Sequence, residues 1–251
     1  MPHCVCLSSL LLLLLGPSVG MSEVGEELLA EKFGDAGERA LEKFRLNLER
    51  KDWNLEKDYG AEEITIKSVF DQETKTHFLL TEASLNFDCD WAFREFKDHA
   101  LVATPEWYAD IKEFKVVQRL TDECWVVYQV TEPKLGGLFA GRDIVFLVLF
   151  GKMQDANLTY FVNITWPGLE PRKKLVRAEM REGGGISLSP DPEQNATRTR
   201  LRWVSSLDFK IPLVPSSIIQ KLYVEGCREY VQGLRKYLSS RHQLHLQVLQ
   251  D

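Results

Sequence analysis

The chain offers few residues whose spacing could do chemistry. His242 and His245 form H-x-x-H near the C-terminus. Two imidazoles three residues apart share a helical face, but a metal site needs a third ligand and none is in register. The plainer expectation is a pair of solvated tail histidines. His77 and His99 have no partner in sequence, and Gly183-Gly184-Gly185 lacks dinucleotide-loop spacing, so a turn explains it. Cys124 beside Trp125 reads as strand core. There is no G-x-S-x-G elbow, no H-E-x-x-H and no phosphate loop. The expectation is a non-catalytic chain with no metal and no cofactor. Arg142-Asp143, at the head of an apolar run, is either a structural pair at the base of a loop or a headgroup contact.

The elements that position these residues centre on 201–238. Thr197, Thr199, Leu201, Trp203, Ser205, Leu207 and Phe209 alternate with Arg198, Arg200, Arg202, Val204, Ser206 and Asp208. Period two predicts a half-buried strand with a basic solvent face. Pro212 and Pro215 end it, since neither donates to a ladder. Ser217 and Gln220 have capping-box spacing. Ile219, Leu222, Tyr223, Gly226, Tyr230, Leu234 and Tyr237 then recur at helical spacing. Small residues at the middle of that face, Gly226 and Cys227, leave room for a ligand or let another backbone come close.

Earlier in the chain, Glu26 to Leu48 has a helical pattern, with Gly34 and Gly37 weakening its middle. A short helix is predicted at Asp90–His99. Strands are predicted at Ile64–Ile66, Phe78–Phe87, Phe114–Leu120, Cys124–Thr131, Arg142–Phe150, Leu158–Trp166, Lys173–Glu179 and Ile186–Leu188. The strand 142–150 is apolar throughout after its R-D start, so both its faces are expected to be buried. The loop 133–141 is punctuated by glycine and carries Leu135, Leu138 and Phe139, which points to a lid or a membrane contact. The fold class is α+β, a curved antiparallel sheet between an early and a late helix.

Composition excludes several classes. Hydrophobic residues make up 44% and charged residues 27%, with a net charge of −6. A net-acidic chain disfavours nucleic acid, which needs a basic surface. No segment is long enough to span a bilayer as a helix. The basic group Arg172, Lys173, Lys174, Arg177 and Arg181 reads as a solvated strand end. Residues 1–20 read as a signal peptide or dispensable leader, with Met21 as an alternative start. Three sequons, at Asn157, Asn163 and Asn195, favour the secretory pathway or an extracellular site. Cys89, Cys124 and Cys227, an odd set that builds no disulfide framework, favour a cytoplasmic chain peripheral to membranes. The expected organisation is one domain over 21–240 and a polar tail over 241–251.

Four stretches carry a resemblance. They are P-E-W-Y-A-D-I-K-E-F-K-V-V-Q-R-L at 105–120, G-R-D-I-V-F at 141–146, L-V-R-A-E at 175–179, and L-R-W-V-S-S-L-D-F-K with P-S-S-I-I across 201–219. In this order and spacing, over roughly residues 50–240, the chain resembles the START domain family. The resemblance implies a helix-grip fold, with the sheet closed around the C-terminal helix and an apolar tunnel for a single lipid. It implies lipid transfer with a transient membrane partner, by a monomer. A lipid sensor is the alternative, and a cavity enzyme on the same fold the next.

Carried over by position, Leu135, Leu138 and Phe139 fall in the gating loop. Ile219, Leu222, Tyr223, Gly226 and Tyr230 fall on the cavity face of the helix. Trp125, Tyr128, Gln129, Arg142, Phe146, Val148 and Trp203 complete the expected tunnel. Sterol-carrying members place a buried carboxylate and an arginine in facing strands. The matching positions here are Gln129 and Val148, both uncharged, so the ion pair is absent.

Overall fold

The apolar strand 142–150 lies deep in the molecule. In a computed structural model, every residue from Arg142 to Phe150 is buried. The structure describes residues 20–248 except 135, 136, 138, 194–196, 209 and 211–215. The leader, Leu135, Leu138, the Asn195 sequon, Phe209, Pro212, Pro215 and the last three residues therefore lie outside the described residues. So does the side chain of Ser217.

The chain runs α1 (Gly20–Glu49), β1 (Asn54–Tyr59), β2 (Ile64–Asp71), β3 (Thr76–Leu85), α2 (Cys89–Glu95, continued by a π turn to Ala100), α3 (Thr104–Trp107), β4 (Ile111–Thr121), β5 (Cys124–Thr131), β6 (Arg142–Met153) and β7 (Ala156–Asn163). It continues with β8 (Val176–Arg177), β9 (Glu179–Met180), β10 (Gly185–Pro190), β11 (Thr199–Ser205), β12 (Leu207–Asp208) and α4 (Ser216–Val248). One antiparallel sheet has the order β1-β2-β3-β11-β10-β7-β6-β5-β4. β8 joins it parallel to the start of β6, and β12 pairs with β9 apart from it. The α+β helix-grip expectation holds.

Both faces of the sheet are covered, which explains β6. The inner face (Ile64, Leu79, Trp125, Val127, Phe146, Val148 and Leu201) packs on Val224, Cys227, Tyr230, Val231, Leu234 and Leu238 of α4. The outer face (Leu80, Val126, Tyr128, Leu147, Leu149 and Val204) packs on Phe33, Ala40, Phe44 and Leu48 of α1. The expected basic solvent face of β11 holds at Arg200, which is exposed, and fails further along. Val204 is fully buried, and Arg202 crosses to the C-terminus of α1, where Nη2 donates to the Leu48 carbonyl at 2.5 Å. A helix packed from over 150 residues away is invisible to local alternation.

Other expectations change too. The strand at 173–179 becomes the short β8 and β9, and the long strand at 197–209 breaks between β11 and β12, which pair in different sheets. β1 escaped the sequence reading because its residues are mostly exposed and charged, with no alternation. Residues 241–248 continue α4. His242 is not a solvated tail residue; it packs on Trp91 and Phe87 at ring separations of 4.9 and 5.5 Å. Arg241 pairs with Glu95. Asn157 is 2% exposed in β7, so its sequon has no room for a glycan in the folded chain. In the basic group, Arg172 is held by Glu113, Arg177 by Asp143 and Arg181 by Asp208. Among the described residues, no helix is long and apolar enough to cross a membrane.

Candidate ligand cavity

Along the first half of α4, Val224 and Cys227 pack on the sheet, but contact between helix and sheet is incomplete. The second half of the helix packs tightly, with Val231, Leu234 and Leu238 at 0–1% exposure. Between residues 219 and 230 a cavity of about 200 Å³ remains. Its apolar walls are Ile111, Phe114, Phe146, Phe161, Met180, Ile186 and Trp203, with Ile219, Leu222, Tyr223 and Tyr230 from the helix. Gln129, Thr131, Glu132, Lys134, Phe139, Ala140 and Arg142 close the side nearest the loop.

Three aromatic rings of the lining, Tyr108, Trp203 and Tyr230, cluster with Trp107, which lies outside it. Tyr230 lies 4.5 Å from Trp203, 5.0 Å from Trp107 and 5.3 Å from Tyr108 between ring centres, the last two edge to face. Such pairs fix ring positions more firmly than area burial alone. Trp107 and Tyr108 belong to the turn opened by α3, whose Pro105 occupies a first-turn position that needs no amide donor. Trp107 Nε1 donates to the Ala100 carbonyl at 2.9 Å, which holds the turn against the π segment.

The loop side is tied by polar contacts. Lys134 and Phe139 exchange backbone hydrogen bonds at 3.0 and 3.1 Å, which ties the base of the loop, and Phe139 is half-buried at the cavity. Lys134 pairs with Asp110. Tyr108 places its hydroxyl 3.2 Å from Asp110 Oδ2 and 3.1 Å from the Gly226 carbonyl. Loop, strand start and helix are thereby linked through three side chains.

Burial keeps the phenols of the cavity and the thiol beside it protonated. Burial, helped by Asp110, pushes the Tyr108 hydroxyl far above the usual phenol range, and burial does the same for Tyr223 and Tyr230. Burial pushes the Cys227 thiol up to about 12. Burial also lowers Arg142, though not enough to discharge a guanidinium near neutral pH. Among the described residues, no cluster of three His, Cys, Asp or Glu side chains could hold a metal.

Ten of the expected tunnel residues line the cavity: Gln129, Phe139, Arg142, Phe146, Trp203, Ile219, Leu222, Tyr223, Gly226 and Tyr230. Three lie elsewhere. Tyr128 faces outward, with its hydroxyl 3.2 Å from Asp143 and Arg172 stacked 4.4 Å over its ring, because consecutive strand residues point to opposite faces. Trp125 and Val148 are inward but belong to packed core, where they sit opposite each other in the β5–β6 ladder. Leu138 lies outside the described residues. Arg142 and Asp143 are not a pair: Arg142 faces the cavity, and Asp143 is held on the outer side by Arg177 at 2.9 Å. Cys227 is fully buried core and not part of the cavity wall. The sequence reading missed Tyr108, Asp110, Phe114, Phe161 and Ser205. Tyr108, Asp110 and Phe114 fall inside the stretch 105–120 that carried the resemblance, so a signal was there without a face assigned to it.

A sheet gripping a long C-terminal helix over a mostly apolar cavity defines a helix-grip protein with room for a small hydrophobic guest. The chain belongs to the START domain family, whose model matches residues 35–243. That match begins inside α1, earlier than the resemblance placed it. The chain is 23% identical over 223 residues to the steroidogenic acute regulatory protein, mitochondrial, of Danio rerio, covering 87% of this chain and 76% of that protein. Against the Homo sapiens protein of the same name, identity is 24% over 138 residues, 55% of this chain and 47% of that one. The match thus spans about half the length of the human relative. Human StAR-related lipid transfer protein 5 superposes with a TM-score of 0.75 at 18% identity, covering 85% of this chain and 99% of that chain.

Proposed function

We propose that this chain holds one lipid in the cavity beneath the first half of α4 and moves it between membranes. The observation that carries the reading is the cavity itself. Aromatic and aliphatic side chains line it, and each lipid methylene hidden there is worth about 0.8 kcal/mol. The family membership and the similarity to a lipid transfer protein support it. The neutral, high-pKa hydroxyls and thiol in and beside the cavity favour binding over catalysis.

Loading needs an opening, and the gate is the loop 133–141 with the first turns of α4. Next to it, Ile218 and Leu222 remain 46% and 41% exposed. Apolar side chains beside a cavity mouth suit contact with a bilayer surface, which lowers the cost of exposing the interior during exchange. Native mass spectrometry of protein purified from cells tests the first half of the reading. A single co-purified lipid is expected, and a chain that stays empty after incubation with lipid vesicles refutes it. A donor-to-acceptor vesicle assay tests the second half. A chain that binds lipid yet moves none is a sensor rather than a carrier.

A further inference from the structure

The outer face of the sheet carries a second concavity, and its chemistry is the reverse of the lipid cavity's. It has a volume of about 360 Å³ and lies at the C-terminal end of α1. Leu48 and Leu80, buried members of the outer core, line part of it. The rest of the lining is Arg50, Lys51, Lys67, Arg200 and Arg202, with Glu82 and Trp53. Arg50 is held by Asp52 at 2.9 Å and Asp71 at 3.4 Å. That leaves four cations and one carboxylate in the lining, in a chain whose net charge is −6.

Register brings the cations together. Glu82 sits opposite Arg202 in the β3–β11 ladder, and Lys67 sits opposite Leu80, two residues before Glu82. Residues two apart on a strand share a face, so Lys67, Glu82, Arg200 and Arg202 all point outward. Their heads converge. Arg200 Nη2 lies 3.0 Å and Arg202 Nε 3.4 Å from Glu82 Oε1, and Lys67 Nζ lies 2.6 Å from Oε2. One carboxylate neutralises one of these three cations and leaves two. This is not an open solvated face: the side chains of Lys67, Arg202 and Glu82 are 32%, 23% and 17% exposed. Burial lowers the pKa of Arg202, Glu82 raises it, and the like charge of Arg200 lowers it further. In the same lining, Trp53 holds a buried indole N–H with no hydrogen-bond partner among the described residues.

We propose that this groove binds a phosphate monoester, on a soluble molecule or on a lipid headgroup, at a site separate from the lipid cavity. A phosphate monoester carries a charge of about −1.5 to −2 near neutral pH and three strong acceptor oxygens, which matches the surplus around Glu82. A guanidinium has five N–H donors, and Glu82 takes one from Arg200. The free edge suits two phosphate oxygens side by side. A second carboxylate brings one charge and leaves a cation unmatched. Glu82 competes for the same donors, so it holds the cations in place while the site is empty and weakens the ligand when it arrives. The site and the lipid cavity lie on opposite faces of the sheet, and neither reading depends on the other.

The test uses the full chain and its Arg200→Gln and Glu82→Gln variants. Arg200 is exposed, so its replacement leaves the core untouched. Inositol trisphosphate and an oligoglutamate peptide are titrated by calorimetry. Phosphatidylcholine vesicles carrying phosphatidylinositol bisphosphate, or phosphatidylserine at equal total charge, are read by co-sedimentation. Binding of inositol trisphosphate assigns the site to a phosphate ester free in solution, and binding of the bisphosphate vesicles alone assigns it to a headgroup. Arg200→Gln should weaken that binding about tenfold, one charge-assisted hydrogen bond. Glu82→Gln should strengthen it about fivefold, because a like charge is removed from beside the ligand. A purely structural ion cluster gives no such gain. Binding of neither phosphate probe overturns the site. So does binding that Arg200→Gln leaves unchanged, that Glu82→Gln fails to strengthen, or that the glutamate peptide or the phosphatidylserine vesicles equal.

Discussion

The hydroxyl of Tyr108 reaches the carbonyl of Gly226 at 3.1 Å, across 118 residues of chain. Gly226 lies mid-helix, and its carbonyl can accept this bond besides an intrahelical one because oxygen has two lone pairs. The approach depends on the missing side chain: a Cβ at position 226 would lie 3.2 Å from the Tyr108 hydroxyl. Through Asp110 and Lys134 the same hydroxyl connects α4 to the base of the loop 133–141. The contact joins the two halves of the proposed gate.

Tyr108→Phe should therefore loosen the gate without emptying the cavity. One hydrogen bond is worth about 1 kcal/mol, so opening should become roughly fivefold more frequent. Hydrogen exchange over residues 216–230 and vesicle-to-vesicle transfer should both accelerate, while exchange over 231–240 stays as it was. Unchanged exchange in the first half of α4 would show that Tyr108 does not hold it.

Two glycines of α4 should respond in opposite ways. Gly226→Leu adds its side chain where the cavity and the Tyr108 hydroxyl meet. It should cut bound lipid at least tenfold, while the fold gains helix propensity of about 0.8 kcal/mol. At Gly233 a Cβ would come within 2.5 Å of the Trp107 backbone oxygen, in packed structure. Gly233→Ala must push α4 off the α3 turn, and a loss of about 1–3 kcal/mol is expected from urea unfolding. If both variants keep their stability and their lipid, the close approach at each site is without consequence.

The outline of this architecture is legible in period-two and helical alternation, because one face of each element is apolar. Alternation tells which side chains share a face and is silent on what covers it. Leu201 and Trp203 were correctly paired inward, yet Val204 and Arg202 on the other face meet α1, which no local pattern could report. Tyr128 and Gln129 cannot both face one cavity, and only the register with β6 decides for Gln129. The link between Tyr108 and Gly226 arises from tertiary proximity alone.

Acid should expose the role of Asp143. Its side chain is fully buried, and burial by itself would raise its pKa. The hydrogen bond and charge of Arg177, with a bond from Tyr128, outweigh burial and hold the carboxyl below the usual carboxylate range. A lowered native pKa means that Asp143 adds stability above its unfolded value of about 3.9, and that this is lost as pH falls below it. Arg177→Ala strands the carboxylate and should cost about 3–5 kcal/mol near neutral pH. The gap to wild type should narrow as the pH is lowered and Asp143 protonates in both chains. A gap that is constant with pH would assign the loss to packing instead.

Phe139 separates the gate from the container. Its ring is half-buried at the loop side of the cavity, on a loop held by its own backbone pair with Lys134. Phe139→Asp leaves most of the lining in place, since Phe114, Phe146, Phe161 and Trp203 are untouched. It puts a charge where the loop would meet a bilayer, and a buried charge at an apolar boundary is strongly disfavoured. Transfer between vesicles should slow about tenfold, while equilibrium occupancy falls by less than threefold. Ile218→Asp, on the exposed first turn of α4, should slow transfer in the same way and spare occupancy, because Ile218 does not line the cavity. If both variants lose occupancy and transfer to the same degree, exchange does not pass through this mouth.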